Sequence, residues 1–185
     1  MVAAAFATDP AWSFIVGPGN VAAKAEFARA LLIPRIQRGT AWVTDGCTAV
    51  AMWDRVAEEA EANEDYDARW SAFRAEAGED SWLRLQAYDA ALTAVGPGRP
   101  HWYLGVLATH PDQHGRGLAS AVLGPGLTAA DADGWDCWLE TSTTGNKEFY
   151  ARRGFTTAIP VDIPSGPQTW WLRRPAGSDQ RGRIR

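Results

Sequence analysis

Apolar positions along the chain alternate between stretches of helical and of strand-like spacing. Residues 2–8 read as the end of a helix broken by Asp9-Pro10, and Trp12 to Asn20 reads as a loop around Gly17-Pro18-Gly19. Asn20 can cap a helix over 21–37, where Phe27, Leu31 and Leu32 repeat at helical spacing. Pro34 predicts a kink or an early end to it. Thr40 to Val43, Asp45-Gly46 and Thr48 to Trp53 read as a β-hairpin, because Asp-Gly supplies the positive backbone angles of a tight turn. Residues 55–95 read as mostly helical, broken near Gly78. The run Glu58, Glu59, Glu61, Glu64, Asp65 and Asp67 reads as a solvated helix face in preference to a cation or amine site.

From residue 101 the pattern changes. His101 to Ala108 is a short apolar run of strand formers. A glycine-rich turn follows, then a helix to about Asp133 in which Gly124-Pro125-Gly126 predicts a kink. Asp136 to Ser142 is a second apolar strand. Asn146 to Arg153 is a short helix stopped by Gly154, and Phe155 to Arg174 gives two more strands. This order predicts an α/β (α+β) fold with one mixed sheet, in a single domain over 1–174. Residues 175–185 carry turn formers and arginines and read as a frayed basic tail.

Composition narrows the function classes. At 185 residues and 46% hydrophobic the chain can bury a core, which excludes a disordered protein. The net charge of −4 disfavours nucleic acid but leaves room for a small anionic ligand at a local positive site. No apolar run is long enough to span a membrane, and the start lacks a basic region before Asp9, so neither a membrane partner nor a signal peptide is expected. Cys47 and Cys137 have no second Cys or His at ligand spacing; they read as buried, reduced thiols of a cytoplasmic protein, with no metal. Ten tryptophans suggest an aromatic cavity as readily as a core.

One turn carries candidate chemistry. Pro111 to Ala119 lies between a predicted strand and a predicted helix, with small residues at 115, 117 and 119. Small residues let a ligand approach the backbone, and the unpartnered first N–H groups of a helix attract an anion. Arg116 adds a positive charge. The turn is neither a Walker loop nor a full dinucleotide fingerprint.

The stretch His114-Gly115-Arg116-Gly117-Leu118-Ala119 resembles the Gln/Arg-x-x-Gly-x-Gly/Ala motif of the GNAT family of N-acetyltransferases. About thirty residues later, Asn146-Lys147-Glu148-Phe149-Tyr150 with Gly154-Phe155 resembles that family's second signature. Within the family, Gly117 to Val122, Leu139 to Ser142, Phe149-Tyr150 and Gly166 to Trp170 look like the puromycin N-acetyltransferases.

The resemblance implies two parallel strands, 101–108 and 136–142, that splay apart to admit acetyl-CoA. Backbone groups around Leu107, Ala108 and Thr109 would face the acetyl carbonyl, and His114, Gly115, Arg116, Gly117, Leu118, Ala119 and Ser120 would take the pyrophosphate. Asn146 and Phe149 would contact the cofactor, Asn146 serving also as a helix cap. Tyr150 would be the general acid. Glu140 is the candidate base, with a structural or substrate-orienting carboxylate as its alternative. The acceptor implied is the primary amine of a small molecule, such as an aminoacyl-nucleoside antibiotic, which would make the protein a resistance factor. It would be lined by residues 10–20, 61–95 and 160–168, with Trp12, Phe14, Trp70 and Trp82 as candidate contacts; Trp42, Trp102, Trp138 and Trp170 fall on strands and read as core. The alternative is a GNAT-fold sensor that binds CoA without turnover. Against the family pattern the first edge strand is missing, which exposes the strand near 40–43 and leaves both a monomer and a homodimer open.

Overall fold

The computed structural model describes residues 1–57, 66–98 and 100–178; the acidic run from Glu58 to Asp65 and the last residues of the tail lie outside them. Six strands, β1 (Ala41–Val43), β2 (Ala49–Val56), β3 (His101–Thr109), β4 (Cys137–Thr141), β5 (Thr157–Val161) and β6 (Thr169–Arg174), form one mixed sheet in the order β1-β2-β3-β4-β6-β5. Helices α1 (Val2–Ala5), α2 (Pro10–Val16), α3 (Val21–Gln37), α4 (Tyr66–Ala77) and α5 (Glu79–Val95) pack on one face, and α6 (Leu118–Asp133) and α7 (Thr144–Ala151) on the other.

Alternation along β2 sends its side chains into both layers. Val50 and Met52 join the core under α1 to α5, whereas Ala49, Ala51 and Trp53 join the core under α6. The β3 strand changes phase. Trp102 and Leu104 face the α6 side, but Val106 and Ala108 face the other. The register with β2 steps from Met52↔Val106 to Trp53↔Leu104, so Gly105 is the extra residue of a β-bulge.

The parallel ladder between β3 and β4 is short. It holds at Trp102↔Cys137 and Tyr103↔Trp138 and then ends, while β4 stays paired with β6 along its length. Beyond Tyr103 the two strands part, and Glu140 lies beside the gap.

Four local expectations need correction. Trp12 to Val16 is helical, not loop: Pro10 sits in the first helical turn, where its missing N–H costs nothing, and Asp9 accepts a hydrogen bond from the Trp12 N–H at 3.0 Å. Pro34 does not end α3, which runs to Gln37, because only the last turn follows it. By contrast, α6 runs through Gly124-Pro125-Gly126 as the one helix expected to about Asp133, and Gly126 answers a tertiary demand, since a Cβ there would lie 2.3 Å from Nε1 of the buried Trp53. Cys47 is exposed in the hairpin turn, whereas Cys137 is buried and its thiol is pushed up to about 12 by burial. Trp102 and Trp138 are core residues, and Trp42 and Trp170 are half-buried.

Candidate active site

The turn into α6 is built for backbone exposure. Gly115 and Gly117 hold φ of 76° and 77°, a region that side-chain-bearing residues rarely enter, and nothing lies within 4 Å of where a Cβ would project. Gly117 occupies the N-cap position without a side-chain cap, so the first N–H groups of α6 have no intrahelical partner. A cleft of about 500 Å³ lies over this turn. Its walls bring together Leu107, Ala108 and Thr109 of β3, the turn from His114 through Ser120, and Asn146, Phe149 and Tyr150 of α7. Every cofactor residue expected from the sequence lies on this one cleft.

Two arginines stand at its rim. Arg116 bonds the Gln113 side chain. Arg153 donates to the Phe149 carbonyl at 2.7 Å and to the Ser120 hydroxyl, and its guanidinium lies 3.5 Å from the Phe149 ring centre. It therefore ties α7 to α6 across the cleft. Asn146 is not a cap; Thr143 holds that position, and the Asn146 amide donates to the Thr141 hydroxyl at 3.4 Å.

The cleft opens inward to a chamber of about 60 Å³ where β3 and β4 part. Tyr150, Asn146, Leu107, Phe6 and Asp9 line both spaces. Tyr150 is buried, and burial together with the charge of Glu140 raises its phenol above the ordinary range, so it is protonated at neutral pH. Glu140 lies on the far wall. Its carboxylate accepts a hydrogen bond from the Tyr103 hydroxyl at 2.7 Å. Burial pushes Glu140 up to about 7, and the Tyr103 bond limits the rise. Glu140 can thus take or release a proton near neutrality.

Beyond Glu140 lies a third space of about 200 Å³. Trp12, Phe27, Trp70, Tyr88 and Tyr103 give it aromatic walls, and Arg35, Arg69, Asp89 and Glu140 line it with charge. Ala11, Trp12, Gly105, Tyr88 and Glu140 also border the chamber, so cleft, chamber and cavity form a series. Of the expected acceptor contacts, Trp12 and Trp70 line this cavity. Trp82 lies instead on a shallow surface depression with Arg74 and Glu79, and Phe14 packs at the margin of the core. No residue of 160–168 borders the cavity; α3 and β3 contribute in their place.

The model of the acetyltransferase (GNAT) family matches residues 48–155, more than half of the chain. The chain belongs to this family. The GNAT fold extends beyond that match, as solved structures show. A histone acetyltransferase and related acetyltransferase from Corynebacterium glutamicum is 25% identical with a TM-score of 0.57, covering 94% of this chain and 86% of that one. Polyamine N-acetyltransferase of Drosophila melanogaster shares the fold at 12% identity, with a TM-score of 0.64 over 94% and 90% of the two chains. Arylalkylamine N-acetyltransferase 2 of Aedes aegypti does so at 10% identity, with a TM-score of 0.60 over 92% and 88%.

The protein is therefore a GNAT acetyltransferase, and its acetyl donor is acetyl-CoA. The long cleft fits that donor on its own evidence: two left-handed glycines, an uncapped helix start and Arg116 make an anion cradle at one end, and Tyr150 stands at the other. This acetyltransferase also has site residues that sequence reasoning passed over. Asp9 caps α2, lines cleft and chamber, and has its carboxyl raised by burial. Lys24 is buried in α3, where its ammonium donates to the Phe6 and Ala7 carbonyls at 3.2 and 2.7 Å and fixes the chain just before Asp9. An Asp-Pro pair ahead of an apolar run was the available signal for the first.

Proposed function

We propose that this acetyltransferase moves an acetyl group onto the primary amine of a small molecule by direct attack, with Tyr150 as general acid and Glu140 as general base. Acetyl-CoA, when bound, supplies a thioester whose carbonyl carbon accepts the amine and whose sulfur departs. The backbone at Gly115 to Ser120 holds the phosphates, and the β3 edge freed beyond Tyr103 holds the arm that reaches the chamber. Glu140 receives a proton from the incoming ammonium, directly or through water, which its carboxyl raised to about 7 allows near neutral pH. Tyr150 donates its phenolic proton to the leaving thiolate and is reprotonated by the second N–H proton that the adduct's nitrogen loses as the amide forms; a thiol of ordinary pKa near 8.5 leaves more readily when protonated. The observation that carries the reading is the order of the three spaces, with Tyr150 between cleft and chamber and Glu140 between chamber and cavity.

Amines are the acceptors named for two of the fold relatives, polyamine and arylalkylamine N-acetyltransferases. The local likeness to puromycin N-acetyltransferases favours an aminoacyl-nucleoside antibiotic as acceptor, in the cytoplasm, where free thiols such as Cys47 and Cys137 are kept reduced. Thiol release from acetyl-CoA over an amine panel tests the transfer. Tyr150→Phe is expected to lower kcat by roughly 10² to 10⁴ while CoA still binds. A Tyr150→Phe variant at wild-type rate would exclude Tyr150 as the acid.

A further inference from the structure

We propose that Lys24 is a positioning residue for acetyl transfer, holding the turn from Phe6 to Asp9 in place as one wall of the cleft and the chamber. The proposal rests on the placement of acetyl-CoA in those two spaces and adds to it the group that sets their width. Lysine occurs only at positions 24 and 147 of the chain, and arginine serves everywhere else. Lys24 is 2% exposed. A buried ammonium is costly unless acceptors meet its protons. Here the Phe6 and Ala7 carbonyls accept from it at 3.2 and 2.7 Å, and the Asp9 carboxylate favours its charged form.

Among the described residues, these two are the only hydrogen bonds that join residues 1–9 to any element beyond α2. The others stay local: the Asp9 N–H donates to the Phe6 carbonyl, the Trp12 N–H to the Asp9 carboxylate and the Ser13 N–H to the Asp9 carbonyl. The helix α1 has four residues, none of them fully buried, so its own packing holds it weakly. Phe6 stacks on Trp12 with ring centres 4.3 Å apart, and Trp12 meets Phe27 edge to face at 4.8 Å. Lys24 and Phe27 stand at i and i+3 on α3. One face of that helix therefore grips the turn twice, by polar bonds at 24 and by aromatic contact at 27.

The turn so gripped is part of the site. Ala5, Phe6 and Asp9 border the cleft, and Phe6, Asp9 and Trp12 border the chamber; Leu107 of β3 and Tyr150 border both. A thioester on the β3 edge would lie against this turn. The position of the turn then fixes the distance of the thioester from Tyr150 and from an amine at Glu140. A misplacement of about 1 Å costs roughly 10²-fold in rate. The phosphate cradle from Gly115 to Ser120 is built on the start of α6 and owes nothing to Lys24. Loss of the tether should therefore slow turnover without releasing CoA.

Three substitutions grade the tether. Lys24→Arg keeps charge and donors, Lys24→Gln keeps one shorter donor group, and Lys24→Met keeps only bulk. Thiol release at saturating acetyl-CoA and the best acceptor of the amine panel gives kcat, calorimetric titration gives Kd for CoA, and thermal melts fix a temperature at which each variant is folded. Lys24→Arg should keep kcat within about threefold, Lys24→Gln should lose about fivefold and Lys24→Met about tenfold or more, with Kd for CoA within about threefold throughout. A residue that only supports the fold would lower Tm and leave the kcat of folded enzyme and the rescue by arginine without effect. Wild-type kcat in folded Lys24→Gln or Lys24→Met overturns the role, as does a fall in kcat matched by an equal loss of CoA affinity. If Lys24→Met does not fold, equal kcat in Lys24→Gln and Lys24→Arg overturns it. Hydrogen exchange of the wild type tests the underlying placement separately: CoA should slow the amides of residues 4–13, and no slowing there would remove the turn from the site.

Discussion

Glu140→Gln should make the protein more stable, and by an amount that depends on pH. Burial lifts the Glu140 carboxyl from its ordinary 4.5 to about 7, so ionising it costs more in the folded chain than in the unfolded one. Well above pH 7 both states carry the charge and the folded state bears the full penalty. At about 1.4 kcal/mol per pH unit, the displacement comes to about 3 kcal/mol. Well below 4.5 both states are protonated and the penalty vanishes, so stability is lost as pH rises from about 4.5 through about 7. Glutamine keeps an oxygen for the Tyr103 hydroxyl and removes the ionisation. Urea unfolding of both proteins near pH 8 and near pH 5 measures the effect. The gain from Glu140→Gln should approach about 3 kcal/mol at the higher pH and fall below about 1 kcal/mol at the lower. An equal effect at both pH values, or a less stable variant near pH 8, would refute the argument that burial raises this carboxyl.

Other consequences can be measured independently. Gly126→Ala drives a methyl group to within 2.3 Å of Trp53 Nε1, and Trp53 is fully buried, so the variant should lose about 1–3 kcal/mol and show a lower Tm. Asp131→Ala removes the carboxylate that Arg174, itself fully buried, meets with two bonds of 2.7 and 2.8 Å; denaturant melts should report a loss of about 3–5 kcal/mol. Trp12→Leu and Trp70→Leu should raise KM for the acceptor, whereas Trp82→Leu, outside the cavity, should leave it unchanged in steady-state kinetics.

Much of this architecture is legible in local pattern. The strands around His101 to Thr109 and Cys137 to Thr141 show as short apolar runs, and the glycines at 115 and 117 announce the turn because their backbone angles demand them. Where local rules mislead, a tertiary or positional effect overrides them. Pro10 reads as a breaker, yet it begins a helix that Asp9 caps. Gly126 reads as a helix fault until Trp53 is seen against it. The aromatic cavity beyond Glu140 is the least legible part. Arg35 and Phe27 lie on a helix whose apolar repeat signals only core, and Tyr103 meets Glu140 from 37 residues away in the chain. Nothing in sequence spacing brings these groups together; the bulge at Gly105 and the parting of β3 from β4 do.

The pH dependence of kcat/KM for thiol release, in the wild type and in Glu140→Gln, tests the account most directly. The wild-type profile should rise through about pH 7 as Glu140 ionises, and Glu140→Gln should lose that limb and fall by roughly 10² or more. A Glu140→Gln enzyme that keeps both the limb and the wild-type rate would contradict it.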